Sequence, residues 1–334
     1  MKVSIAMATY KGEAYIREQL DSIAHQTVLP DELVITDDSP DSNTADIVAE
    51  FAKTAPFSVR FYRNAVRAGF PENFFKVIAL CTGELIAFAD QDDVWVPHKL
   101  ERMVGHFQDA EVMLVTHRIS LVDRDLKQIE GGNEEHWSYQ GIYAPLTTDP
   151  WYIQFGMSMM ARSDLFRVVD MQRRPADHTR DGGPLPHDMW AWFLGRSLGK
   201  LVALPDKLAM YRQHGANTVG APPRFGLRER VRRSIRTGQS HYEKLSEISL
   251  HSAQVLSTIT ELRFVEQARR AEASYLQLHE AFANRAALYA PHVNGIGRCL
   301  AILKMIRHST YRSVKRGGFG VKALSKDLYV ALIC

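Results

Sequence analysis

Glu84-Leu85-Ile86-Ala87-Phe88-Ala89-Asp90-Gln91-Asp92-Asp93-Val94-Trp95 is the stretch on which the reading of this chain turns. Its apolar run predicts a buried strand, and three carboxylates, Asp90, Asp92 and Asp93, crowd the strand's C-terminal end. Like charges this close repel, so the site calls for a counter-charge. A hard divalent cation suits it, because Mg²⁺ commonly joins one or two carboxylates to substrate phosphates. The plainer alternative is an acidic loop capping a helix over residues 96–107, since acids favour a helix N-terminus.

Upstream of that strand, apolar runs alternate with helical patterns. Strands are predicted at Val3 to Ala8, Glu32 to Thr36 and Phe57 to Tyr62. Helices are predicted at Ala14 to Gln26, Thr44 to Lys53 and Asn73 to Cys81. The alternation predicts an α/β unit with a mostly parallel central sheet and flanking helices. Ligands of such sheets bind at the strand C-terminal ends. Three polar clusters fall there: Thr9-Tyr10-Lys11, Asp37-Asp38 and Asp90 to Asp93. After about residue 112 the pattern predicts strands at Val112 to Thr116, Phe155 to Met160 and Leu201 to Leu204, a loop at Arg173 to Pro186, and a helix opening at Pro186-His187-Asp188. Beyond Pro223 the chain reads as helix.

The 334 residues suffice for one large core or two domains. Three widely spaced cysteines make neither a disulfide framework nor a zinc spacing, which fits a reducing cytosol. The opening apolar run is too short for a signal peptide, and no run of about 18 apolar residues predicts a membrane span. A net charge of +3 does not point to nucleic acid, but basic residues gather in the C-terminal third.

Four segments together resemble the inverting nucleotide-sugar glycosyltransferases of family 2, with a GT-A (Rossmann-like) fold: Ser4 to Gly12, Val34 to Ser39, Asp90 to Trp95, and His187 to Trp190 followed by Tyr211 to Asn217. The Asp-Gln-Asp-Asp-Val-Trp form and the late Tyr-Arg-Gln-His segment are similar to the rhamnosyltransferase-like branch that builds bacterial surface polysaccharides. The resemblance covers about residues 1–220. It implies a catalytic domain with a nucleotide-sugar half over about 1–110 and an acceptor half over about 111–220, followed by a helical region over 221–334.

The resemblance also implies roles. Thr9, Tyr10, Asp37, Asp38, Arg67, Asp90, Gln91 and Trp95 would surround a UDP- or dTDP-sugar, with Trp95 closing a wall of the sugar pocket. Asp92, His214 and Asp90 would serve Mg²⁺ or Mn²⁺. Asp188 would be the catalytic base, taking the acceptor hydroxyl's proton opposite the leaving group. Trp190 and Met157 would line the acceptor site, on a glycan or polyprenyl-linked acceptor.

Outside the resemblance, Arg224 to Arg236 and Ile302 to Cys334 are basic and amphipathic, which suits an anionic membrane surface at the inner face of the cell membrane. Leu245 to Leu278 offers a homodimer seam with poor heptads. A Rossmann dehydrogenase is disfavoured, because Thr9-Tyr10-Lys11-Gly12 lacks the Gly-x-Gly-x-x-Gly turn. An Asp-nucleophile phosphatase and a non-catalytic nucleotide-sugar-binding or assembly subunit remain as other readings.

Overall fold

The computed structural model describes residues 1–129, 139–180, 182–214, 238–307, 310–312 and 319–333. The first half runs β1 (Val3–Thr9), α1 (Ile16–Ala24), β2 (Glu32–Asp37), α2 (Asn43–Ala52), β3 (Ser58–Arg63), α3 (Phe70–Leu80), β4 (Leu85–Ala89) and β5 (Val94–Trp95). These strands are rich in β-branched and aromatic residues, and β1, β2 and β4 are almost wholly buried. Their side chains alternate between two cores. Ile86 and Phe88 face one side of the sheet, whereas Leu85, Ala87 and Ala89 face the other. A sheet buried on both faces is what parallel strands with crossover helices require.

After α4 (Lys99–Val104) come β6 (Val112–Val122), β7 (Gly141–Tyr143), β8 (Met159–Arg162), α5 (His187–Leu198) and β9 (Lys200–Arg212). The sheet order is β3-β2-β1-β4-β8-β6-β9-β5, with β7 also on β9. The block β3-β2-β1-β4 is parallel. Beyond β4 the sheet is mixed: β8 is antiparallel to β4 and β6, while β6 and β9 pair in parallel.

Two strands run well past their sequence-based limits. β6 and β9 pair out to Val122 and Arg212, with register shifts around Thr116 and Arg118. Such irregularities break the alternation on which a strand reading depends. This extension matters for the site. β5 lies antiparallel to the end of β9, Val94 opposite Met210, which carries Arg212 and His214 to the acidic run. α3 begins at Phe70, three residues earlier than its apolar pattern suggested, after Gly69 at φ 85 and with Pro71 in its first turn.

The C-terminal region comprises α6 (Gln239–Ser257), α7 (Val265–Leu288), α8 (Gly295–Arg307) and α9 (Gly320–Ile333). Leu245 and Leu278 are buried inside the chain, in the core shared by α6 and α7. These two residues of the expected dimer seam are therefore packed within the chain, whereas Leu262 and Leu276 of the same stretch are exposed. The basic segment Arg224 to Arg236, and Gly215 to Asn217, lie outside the described residues. No helix among the described residues is long and apolar enough to cross a membrane.

Candidate active site

The C-terminal ends of β1, β2 and β4, the start of α5 and the end of β9 surround one cleft of about 810 Å³. Thr9, Tyr10, Asp38, Arg67, Asp90, Gln91, Asp92, Met157, Asp188 and His214 all line it. The polar clusters that the sequence placed at separate strand ends thus meet in one place.

The wall built from the ends of β1 and β2 is tightly braced. Asp38 accepts hydrogen bonds from the Ala68 and Gly69 backbone amides at 3.0 and 2.8 Å and from Asn64 Nδ2 at 2.8 Å, so it holds the loop before α3 against the strand ends. That loop presents Arg67, whose guanidinium lies 4.0 Å from the centre of the Tyr10 ring. Asn73 donates to the Thr9 and Thr36 carbonyls and ties β1 to β2. Gln91 donates to the Tyr10 carbonyl and accepts from the Tyr10 amide, at 3.0 and 2.9 Å, clamping the end of β1 to the acidic run. A Cβ at Gly12 would lie 2.6 Å from Gln91 Oε1, so a larger residue there would displace this clamp.

Three expected contacts do not reach the cleft. Asp37 is fully buried and accepts from the hydroxyls of Thr9 and Ser39, each at 2.7 Å; it braces the strand ends from behind. Trp95 is 2% exposed and lies under the Lys99 ammonium, 3.5 Å from its ring, so it is core and not a sugar-pocket wall. Trp190 is fully buried and stacks on Phe193. Trp192 is also core, its indole donating to the Asp149 carbonyl. Apolar burial of α5 takes both rings away from the cleft.

The acidic run is electrostatically frustrated. Burial, then the charges of Asp92 and Asp188, push Asp90 up to about 8. Burial, then the charges of Asp90 and Asp92, raise Asp93, which is fully buried and accepts from the Arg212 amide at 3.2 Å. The counter-charge beneath is Lys99, fully buried, with its ammonium 2.5 Å from the Met157 carbonyl. Burial lowers the affinity of Lys99 for its proton, and Asp93 and Asp90 oppose that. Arg212 is a second brace. It donates to the Asp92 and Arg124 carbonyls at 2.8 and 2.6 Å, pairs with Glu18 and lies over Tyr15. His214 stacks on Tyr15 and sets Nε2 2.9 Å from Asp92 Oδ2.

Asp92 and His214 therefore place an oxygen and a nitrogen donor side by side beside Asp90. Among the described residues no group of three or more His, Cys, Asp or Glu is arranged to hold a metal ion. Asp92 and His214, beside Asp90, are the residues that would hold a divalent cation, with phosphate oxygens and water taking its remaining positions, the usual habit of Mg²⁺.

Asp188 stands in the first turn of α5, partly exposed, and lines the same cleft. Burial pushes it up to about 6. Next to it His187 is 2% exposed, stacked 3.6 Å from the Phe74 ring centre, and neither ring nitrogen has a hydrogen-bond partner in the structure. Burial without such a partner lowers it to about 3. Gly156 makes room for it, since a Cβ there would lie 2.4 Å from His187 Nε2.

Sequence reasoning missed Tyr15, Lys99, Arg124, Asn73 and His187's aromatic setting. A lysine in the first turn of a helix reads as solvated, and only the fold shows Lys99 pointing inward. Arg124 fell in a stretch that reads as a polar connection.

Residues 4–168 match the family described as Glycosyl transferase family 2. The chain carries a glycosyl transferase family 2 domain. Among curated relatives, an uncharacterized glycosyltransferase of Nostoc sp. is 30% identical over 226 residues, 65% of this chain and 66% of that protein. The dTDP-rhamnosyl transferase RfbG of Shigella flexneri is 34% identical over 102 residues, 29% of this chain and 35% of that protein. Each match thus spans less than two thirds of the relative's length. Among solved structures, S. aureus TarS 1-349 in complex with UDP-GlcNAc superposes with a TM-score of 0.53 at 16% identity, over 99% of this chain and 90% of that one. The shared architecture is the GT-A fold with its helical C-terminal region.

Proposed function

We propose that this chain is a metal-dependent, inverting glycosyltransferase. It would move a sugar from a UDP- or dTDP-linked donor to a hydroxyl of a glycan or polyprenyl-linked acceptor in bacterial surface polysaccharide synthesis. The observation that carries the reading is that Asp188 lines the same cleft as Asp90 and Asp92, near enough for its charge to raise Asp90. A base on one wall and a cation-binding, leaving-group side on the other is what single displacement needs.

In the reaction the acceptor oxygen forms a bond to the anomeric carbon while the bond from that carbon to the diphosphate oxygen breaks. Asp188 takes the acceptor proton, and the nucleoside diphosphate leaves with the bonding electrons. A raised Asp188 suits this task, since a base works best when its proton affinity lies near the working pH. Tyr10, Arg67 and the loop braced by Asp38 form the wall on which the nucleobase and ribose would rest. Asp92 and His214, beside Asp90, would hold the cation, which when bound neutralises the departing diphosphate. The dTDP-rhamnosyl relative supports testing a dTDP-linked 6-deoxy sugar first, and the apolar floor of Phe70, Phe74 and Met157 would receive a methyl group without cost.

The test is a panel of UDP- and dTDP-sugars with and without Mg²⁺ or Mn²⁺, read by thermal shift and then by release of nucleoside diphosphate in the presence of acceptor glycans. Metal-dependent stabilisation by one donor, with turnover reduced by about 10²–10⁴-fold in Asp188→Asn, is expected. Donor binding with no turnover, indifferent to Asp188→Asn, would instead identify a nucleotide-sugar-binding subunit.

A further inference from the structure

The C-terminal hairpin of α8 and α9 has a surface that its own fold does not use. Inside, Asp327 is fully buried and accepts from Arg285 at 3.0 and 2.7 Å, from Tyr289 at 2.9 Å and from Tyr311 at 2.7 Å. Arg298 donates to the Val330 carbonyl, and Ile302 and Met305 are buried beside Ala331. These contacts fix which side of each helix faces the protein.

The opposite sides are apolar and open. On α8, Ile296, Leu300 and Leu303 are 75%, 61% and 60% exposed, at the i, i+4, i+7 spacing of one helix face. On α9, Val321, Leu328 and Leu332 are 74%, 40% and 73% exposed, at i, i+7, i+11. Of the seventeen exposed large hydrophobic residues among the described ones, eight lie between Ile296 and Leu332. Scattered apolar residues are normal on a surface, but a concentration of this kind marks an interaction site.

Charge says what kind of partner fits. Residues 291–333 hold eight Lys and Arg against one acid, the buried Asp327, a net charge of +7 in a chain whose total is +3. The rest of the chain is thus net acidic. Lys304 and Arg307 on α8 and Lys322 on α9 are exposed among the apolar residues. An apolar stripe with cations on its flanks matches an anionic bilayer: the leucines enter the acyl boundary while long basic side chains stay at the headgroups.

We propose that α8 and α9 form a docking surface for an anionic lipid membrane, with Ile296, Leu300, Leu303, Val321, Leu328 and Leu332 as its inserting residues. The surface does not depend on the catalytic reading, so it can be tested without a known donor. Purified full chain is floated with vesicles of phosphatidylcholine alone and of phosphatidylcholine with one quarter phosphatidylglycerol. Binding is expected only to the anionic vesicles, weakening as salt rises because exposed charges are screened. Leu300→Glu with Leu303→Glu should reduce partitioning at least tenfold, with far-UV dichroism and Tm showing that the fold is intact. Lys304→Gln with Arg307→Gln should weaken binding and flatten its salt dependence. No flotation of the wild-type chain, binding that survives the double Glu change, or a lipid-free dimer that this change dissociates would each overturn the proposal, the last by assigning the surface to a second copy.

Discussion

Asp188 shows how the chemistry of the cleft costs the fold stability. An aspartate protonates near 3.8 when unfolded and near 6 here. Between those values the folded chain holds more protons than the unfolded chain, so this group's contribution falls as pH rises from about 4 to about 6. Above that window the full penalty, about 3 kcal/mol, remains. Asp188→Asn is therefore expected to raise Tm at pH 8 and to leave it near the parent value at pH 4, while activity collapses. Equal Tm values at pH 8 would show that the carboxylate is not destabilised. In the parent, kcat/KM should rise with pH through about 6 as Asp188, the proposed base, ionises. Gly156 belongs to the same scale. A methyl group there meets His187 Nε2 at 2.4 Å, and His187 is wedged against Phe74, so Gly156→Ala must move the residue that precedes Asp188, the proposed base. A loss of turnover of at least tenfold, with metal-dependent donor binding retained, is the expected outcome; unchanged kcat would show that the wedge is idle.

Elements place these residues. β9 carries Arg212 and His214 to the acidic run because β5 pairs with its end, and the Arg212 guanidinium then joins Asp92, Arg124 and Glu18. α7 and α9 are joined by the buried Arg285–Asp327 pair, whose two oxygens are shared with Tyr289 and Tyr311. Removing one partner of such a pair leaves an uncompensated buried charge. Asp327→Ala should thus destabilise the chain by about 3–5 kcal/mol in urea titration. A change under about 1 kcal/mol would mean that the hairpin unfolds independently of the catalytic domain.

For the whole molecule, the cleft gathers Asp90, Asp92 and Asp93 at one strand end, where burial and mutual repulsion push Asp90 and Asp93 toward the protonated form. On the proposed metal-dependent reading, Asp90, pushed up to about 8, gives up its proton when a divalent cation binds, so binding at pH 7 should release protons. Calorimetry with Mn²⁺ in buffers of different ionisation enthalpy measures that number directly. A buffer-independent heat would show that the acidic run is already ionised, and tighter binding at pH 8 than at pH 6 is the accompanying expectation.

Much of this architecture is legible in the chain itself. Apolar runs at Val3, Leu33 and Leu85, with helical patterns between them, determine the parallel block, because a strand buried on both faces must read as a continuous apolar run. Carboxylates directly after such a strand mark the cleft, and Asp188 after a proline marks a helix start facing it. Tertiary structure alone decided the rest. Trp95 and Trp190 are core, since a large ring gains more from burial than from an open cleft, and no local pattern says which way it turns. Asp37 and Asp38 are neighbours in sequence, yet one braces the sheet and the other pins a loop, because adjacent residues at a strand end point to opposite sides. Lys99 reads as an ordinary surface cation, and Arg212 equally as a phosphate contact or a surface ion pair. Their burial beneath and beside the acidic run follows from contacts across 58 to 194 residues of chain, a separation over which sequence pattern carries no signal.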